Sequence, residues 1–189
     1  MDAEPAVRML DSRLVYENPW MRLREDLIER TDGSTGHYAV VDCPDFVVVI
    51  PFDGERFHLV EQYRYPVQGR YWEFPQGSVR DTTTLSPVEM AAIELTEETG
   101  ITASQFELLG FLHDGYGRST NGFHAFLATD LTPGRPRREA EEQDMRTAAV
   151  TPAELWALVE TGAFTDASSL AALALLDHAE RTGRIPLYR

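Results

Sequence analysis

Apolar positions along the chain fall into short β-type runs over the first 75 residues and into helical spacing at three later places. Residues 12–52 read as strands. In "MRLREDLIER" (21–30) apolar and polar residues partly alternate, "TDGSTG" (31–36) breaks the pattern, and "HYAVV" (37–41) and "FVVVIPF" (46–52) are β-rich. Asp53-Gly54 is a hairpin signal, which predicts that "RFHLVEQY" (56–63) returns beside 46–52 as its partner. "YWEF" (71–74) reads as a short strand running into "PQGSV".

The period then changes. Ser86-Pro87-Val88-Glu89 combines an N-cap serine, a proline at the first helical position and a glutamate three residues on, the arrangement of a capping box. Val88, Ala91, Ala92 and Leu95 recur at helical spacing and are expected to face the core, and Gly100 is a natural stop. "FELLGFL" (106–112) and "GFHAFLA" (122–128) are strand candidates around a Gly-rich loop. A long polar loop (132–144) leads to a short strand near 145–150. "TPAELWALVETG" (151–162) and "DASSLAALALLDHAE" (166–180) read as helices, with Trp156 and their leucines assigned to the core. Strands mixed with a few helices, without regular βαβ alternation, predict a mixed sheet packed between helices.

Composition narrows the partners. The 189 residues suit one domain with a modest extension. A net charge of −14 leaves no basic surplus to displace counterions, so a nucleic-acid polymer is not expected as a partner. A small anionic substrate stays open, because a metal ion or a few arginines reverse the charge locally. Cys43 is the single cysteine, so no intrachain disulfide is expected, which fits a reducing cytoplasm. The N-terminal "MDAEPAVRML" lacks an apolar signal-type core, and no run approaches the ~20 apolar residues of a membrane span. The five histidines show no zinc-type spacing.

One stretch resists the ordinary reading. "IELTEETGI" (93–101) places Glu94, Glu97 and Glu98 at i, i+3 and i+4. Like charges so spaced repel by a few tenths of a kcal/mol per pair. They also fall in the last helical turn, where the helix dipole disfavours each anion by roughly 0.3–1 kcal/mol. A solvated acidic face on an acidic protein is one explanation. The other is a divalent cation, since clustered hard oxygens suit Mg²⁺ or Mn²⁺. Glu89 is explained by the capping box and stands apart from this cluster.

The stretch resembles the Nudix hydrolase signature G-x5-E-x7-R-E-U-x-E-E-x-G-U, with U bulky and apolar. Glu94, Leu95, Glu97, Glu98, Gly100 and Ile101 match its second half, and Gly77 stands as the leading glycine. "VYENPWMRLREDLI", "VEQYRYPVQGRYWEFPQGS" and "DASSLAALALL" look like the ADP-ribose pyrophosphatase branch. The resemblance implies an α/β fold: an α/β/α sandwich with a mixed sheet (46–189) and an N-terminal β extension (1–45) packed on it. It also implies a homodimer, and Mg²⁺- or Mn²⁺-dependent hydrolysis of a nucleoside diphosphate linked to another group, ADP-ribose or another nucleotide sugar first. By the same resemblance Glu94 and Glu98 are metal ligands, Glu97 is a third ligand or positions a water, and the carbonyl of Gln76 is a backbone ligand. A glutamate of a later loop would be the general base; in "EAEEQDMR" (139–146) this is Glu142, with Glu141 in reserve, although a solvated acidic loop explains both equally. Arg64 in "QYRYP" resembles a phosphate-contacting arginine, against the alternative of a surface arginine. Tyr116 or Arg118 would stack on a base or meet a phosphate, against the alternative of ordinary loop residues.

The chain also departs from the signature. Ile93 stands at the box arginine and Leu85 at the first glutamate, and the loop 78–84 carries two extra residues. An arginine at 93 would pair with Glu97 at i, i+4. Joint loss of both polar partners avoids stranding one buried charge, so the change reads as packing in place of an ion pair, with reduced activity expected. The alternative is a weakened or inactive domain that binds a nucleotide ligand as sensor or scaffold. In the ADP-ribose branch a proline normally follows the box; Tyr116 occupies that place in "LHDGYGRSTNG" (112–122).

Overall fold

The computed structural model describes residues 6–78, 85–138 and 143–186. The chain divides into two compact units, Met1–Asp45 with His113–Gly122, and Phe46–Leu112 with Phe123–Arg189.

The first unit is an antiparallel meander of β1 (Val7–Glu17), β2 (Arg22–Arg30) and β3 (Thr35–Asp42). β1 thus starts five residues before the first strand read from the pattern. The turns are built by acidic and amide side chains. Asn18 Oδ1 accepts from the N–H groups of Trp20 and Met21, each at 2.9 Å, and Asp32 Oδ1 accepts from Ser34 N–H at 2.9 Å. β1 runs from Val7↔Arg30 to Glu17↔Arg22 with two register shifts, between Met9 and Asp11 and between Leu14 and Tyr16. All eleven of its residues are exposed. Residues 113–122 join this unit through Val41, whose N–H donates to the Arg118 carbonyl (2.8 Å) and whose carbonyl accepts from Thr120 N–H (3.0 Å).

The second unit contains β4 (Phe46–Pro51), β5 (Phe57–Arg64), β6 (Gly69–Glu73), β7 (Gln76–Gly77), α1 (Pro87–Thr99), all but an end residue of β8 (Thr102–His113) and of β9 (Gly122–Thr132), β10 (Arg146–Val150), α2 (Pro152–Glu160) and α3 (Ala167–Arg181). One sheet has the order β7-β4-β9-β8 and another β10-β5-β6. β4 runs parallel to β9 and antiparallel to β7, so the sheet is mixed. Alternation along β4 assigns the two faces. Val48 and Ile50 join a cluster with Leu155 of α2 and Ala172, Leu173 and Leu176 of α3. Val47 and Val49 join another with Met90, Ala91 and Leu95 of α1. Helices therefore cover both faces, which makes the unit an α/β/α sandwich.

Three local expectations are corrected. First, 46–52 and 56–63 do not form a ladder. The turn exists, with Asp53 Oδ1 accepting from the Glu55 and Arg56 N–H groups at 2.9 and 2.8 Å, but only one bridge follows it, Phe52↔Phe57. Both edges of β4 are already occupied, by β7 and β9, so β5 pairs instead with β6 and β10. Second, Val88 is exposed, and Met90 takes a buried place beside Ala91 and Leu95 while Ala92 is half-buried. Third, Trp156 is 53% exposed. Leu155, Leu158 and Val159 hold the inward face of α2 at i, i+3 and i+4, and Trp156 lies about 100° round the axis from Leu155.

Candidate active site

α1 positions the acidic cluster. Glu89 accepts from both the N–H and the hydroxyl of Ser86, at 2.8 and 2.6 Å, which closes the N-terminus. Gly100 ends the helix at φ +76°, its N–H donating to the Thr96 carbonyl at 2.9 Å. A side chain there would also meet the backbone of Arg135 and Pro136 at 2.5 Å, so glycine is required twice over. Between these ends, Glu94 and Glu98 fall one turn apart on the same face as buried Ala91 and Leu95. Glu98 is 1% exposed and Glu94 8%, while Glu97 is half-buried.

Both buried carboxylates lie against β7. The Gln76 N–H donates to Glu98 Oε2 at 3.2 Å. A Cβ on Gly77 would sit 2.6 Å from Glu94 Oε2, so that carboxylate occupies space only glycine leaves open. The leading glycine and the two glutamates are thus brought together, across 17 to 21 positions of sequence, around a two-residue strand. Ordinary structural logic does not bury two acids side by side, since desolvating each costs several kcal/mol.

β7 is held from its other side by α3. Asp166 caps that helix, accepting from Ser169 N–H at 2.8 Å. Its carboxylate also meets Gln76 Nε2 at 3.3 Å and Ser168 Oγ at 2.7 Å, and Ser168 Oγ reaches Gln76 Oε1 at 2.9 Å. Ser169, fully buried, accepts from Phe74 N–H through Oγ at 3.0 Å. The Gln76 side chain is therefore committed to α3, and its N–H to Glu98.

Arg64, at the end of β5, is engaged by a residue that sequence reasoning missed. Glu73 is 2% exposed and takes the Arg64 guanidinium on both oxygens, with Nε at 3.2 Å from Oε2, and also Gln62 Nε2 at 2.7 Å. Burial pushes the Glu73 carboxyl above the usual carboxylate range, and the Arg64 charge only partly offsets it. Tyr116 and Arg118 are exposed in the 113–122 segment of the first unit, where the Tyr38 hydroxyl donates to the Gly117 carbonyl at 2.7 Å. Glu141 and Glu142 lie outside the described residues. Ile93 and Leu85 are both half-buried.

Among the described residues no three acidic, histidine or cysteine side chains gather as a metal-holding group. Two buried carboxylates backed by peptide groups nevertheless suit Mg²⁺, which is commonly held by one or two carboxylates, waters and the substrate's phosphates rather than by a full protein cage. The donor set fits.

The family assignment spans the same residues. A NUDIX domain model matches residues 44–173, which include Gly77, Glu94 and Glu98. This chain belongs to the Nudix hydrolase family. A second model, the nucleoside diphosphate sugar hydrolase N-terminal domain, matches residues 8–41 of the same Nudix chain, the stretch that forms the meander. An ADP-ribose pyrophosphatase of Mycobacterium tuberculosis is 31% identical over 183 residues, covering 96% of this chain and 87% of the relative. An ADP-ribose pyrophosphatase of Bacillus subtilis is 28% identical over 151 residues, covering 79% and 80%. A crystal structure described as an ADP compounds hydrolase superposes with a TM-score of 0.83 at 19% identity, covering 98% of this chain and all of its own, which establishes the shared fold. The Nudix chain is accordingly a pyrophosphohydrolase.

Proposed function

We propose that this Nudix enzyme hydrolyses the diphosphate of a nucleoside diphosphate joined to another group, with ADP-ribose or another nucleotide sugar as the substrate, in the presence of Mg²⁺ or Mn²⁺. The observation that carries the reading is the convergence of Glu94 and Glu98 on the Gln76–Gly77 backbone. The names of the two curated relatives support the substrate class.

In this reading Glu94 and Glu98 hold the divalent cation, with the Gln76 carbonyl and Glu97 as further oxygen donors. Bound there, the cation supplies charge stabilisation to the reacting phosphoryl group. Glu142, or Glu141 in its place, takes a proton from the attacking water. That water's oxygen bonds to one phosphorus as the bridging P–O bond breaks, so ADP-ribose yields AMP and ribose 5-phosphate. Arg64, fixed in direction by Glu73, faces the phosphates. Tyr116 and Arg118 contact the nucleotide. The α3 cap keeps Gln76 from rotating, so β7 presents its backbone in one orientation.

The meander extends the proposal to a homodimer. Its exposed Leu14, Tyr16 and Trp20 are the kind of apolar surface that a second copy of the chain covers. The enzyme would work in the cytoplasm, consistent with its lone Cys43. Among the described residues no helix is long and apolar enough to cross a membrane.

A panel of nucleoside diphosphate compounds, assayed with and without Mg²⁺, tests the whole reading. Metal-dependent release of AMP from ADP-ribose is the expected result, and no turnover of any compound would overturn it. Ile93 and Leu85 favour one second reading, a domain that binds the nucleotide without hydrolysing it. Nucleotide binding by calorimetry in the absence of turnover would select that reading.

A further inference from the structure

The last turn of α1 carries two of the three site glutamates, and a helix's last four carbonyls have no partner within the helix. α1 also has no basic residue in that turn. A frayed end would displace the very carboxylates that must hold a cation to within about 0.5 Å. The chain closes this end from elsewhere. Residues 134–138 approach it so closely that a Cβ on Gly134 would lie 2.5 Å from the Gly100 carbonyl oxygen. The Arg137 N–H donates to the Glu97 carbonyl at 2.9 Å, and Arg138 Nε to the Glu98 carbonyl at 3.2 Å. Arg138 then reaches past the helix: its Nη1 donates to the Met145 carbonyl, and its own carbonyl accepts from Gln143 Nε2 at 3.0 Å. One guanidinium therefore ties the final turn of α1 to the chain entering β10.

We propose that Arg138 is a positioning residue for the reaction, one that takes over in this chain the fixing of the last turn of α1 at Glu98, for which position 93 offers only an isoleucine. A guanidinium suits the task because its fork satisfies two carbonyls at once and its charge opposes the negative end of the helix dipole. It touches neither substrate nor cation. It acts through the backbone of Glu98, one helical turn from Glu94. The inference rests on the proposed role of these glutamates.

The test compares Arg138→Ala and Arg138→Lys with the wild-type full chain. Three quantities are measured: ADP-ribose hydrolysis, Mn²⁺ affinity by electron paramagnetic resonance, and thermal midpoint. Loss of such an outer support commonly weakens metal affinity or activity about 10–100-fold, so Arg138→Ala is expected to lower kcat and Mn²⁺ affinity by that factor while the KM for ADP-ribose holds. Added guanidinium ion should restore part of the loss. A lysine keeps the charge but has a single nitrogen in place of the fork whose Nε and Nη1 each meet one carbonyl, so Arg138→Lys should stay folded with reduced kcat, which keeps the test decisive if the alanine variant does not fold. Arg137→Ala retains its backbone bond to Glu97 and should lose far less. Variants at 138 that keep wild-type kcat and Mn²⁺ affinity overturn the inference while leaving the proposed function standing. A wild-type protein that neither binds Mn²⁺ nor hydrolyses any nucleotide overturns both.

Discussion

In the N-terminal meander, apolar side chains stand outside, whereas around α1 and β7 acidic side chains stand inside. Leu14 and Tyr16 are exposed on β1 and Trp20 in the turn after it, in a meander whose cross-strand pairs include Arg8–Glu29 and Arg13–Glu25 at the surface. Such pairs contribute at most about 1 kcal/mol each, and an isolated sheet of three strands needs a covered apolar face for stability. In the second unit the core is well filled, and the anomaly is the opposite: Glu73, Glu94 and Glu98 are buried while ordinary apolar residues surround them. An inversion of the usual burial rule calls for an explanation. On the proposed reading a second copy covers the meander, and the carboxylates of α1 serve a cation and a diphosphate.

The comparison is broken most decisively on the acidic side. Glu98→Gln keeps the shape and the hydrogen bond from Gln76 but removes the charge. A cation's charge stabilisation is worth several kcal/mol at tenfold per 1.36 kcal/mol, so activity should fall at least about 100-fold. The thermal midpoint should hold or rise, because a desolvated anion has been removed. Steady-state kinetics beside calorimetric melting checks both, and a variant that is destabilised yet fully active would return Glu98 to a purely structural role.

The apolar side breaks more gently. Trp20→Ala removes an aromatic anchor; anchors of this kind are worth about 2 kcal/mol or more, so the dimer should weaken by roughly 10–100-fold. Sedimentation equilibrium measures the shift. A wild-type chain that sediments as a monomer at micromolar concentration would remove the occupant assigned to the meander.

Restoring the family pattern sharpens the comparison further. Ile93→Arg with Leu85→Glu reinstates the pair that position and register call for, and kcat should rise about tenfold, the lower end of what outer supports contribute. The combination of this double change with Arg138→Ala is informative, because a chain that already holds α1 from its C-terminal end gains less from a second arginine than one that does not.

What was legible in the sequence follows the distance over which each signal acts. α1 was readable to the residue, since Ser86, Pro87, Glu89 and Gly100 act within a turn of themselves. The strand partners were not. The Asp53-Gly54 turn formed as its residues require, but β4 had its edges claimed by β7 and β9, and no property of 53–54 reports that competition. Trp156 lies outside the core because its phase on α2, about 100° from Leu155, outweighs its apolar identity. At the candidate site, the glutamates stand out in the sequence by crowding like charge at i, i+3 and i+4. Glu73, Asp166 and Ser168 gave no such signal, because each is unremarkable until the fold brings Arg64 or Gln76 against it.

The smallest expected effect concerns Glu73, and its sign follows from burial. The folded-state carboxyl is pushed above its ordinary value, with desolvation the leading cause and Arg64 opposing it. Between that ordinary value and the raised one, the folded protein holds a proton the unfolded chain has already released. The unfolded state then binds fewer protons, and stability falls as pH rises through the window. Below the window both states are protonated and the group contributes no pH dependence; above it the cost of the buried anion is fully present. Glu73→Gln cannot titrate, so its urea midpoint, set against that of the wild type, should gain ground as pH climbs from 4 to 8. Parallel profiles would mean that Arg64 compensates the buried charge completely, and Glu73 would then be no more than a conventional half of an ion pair.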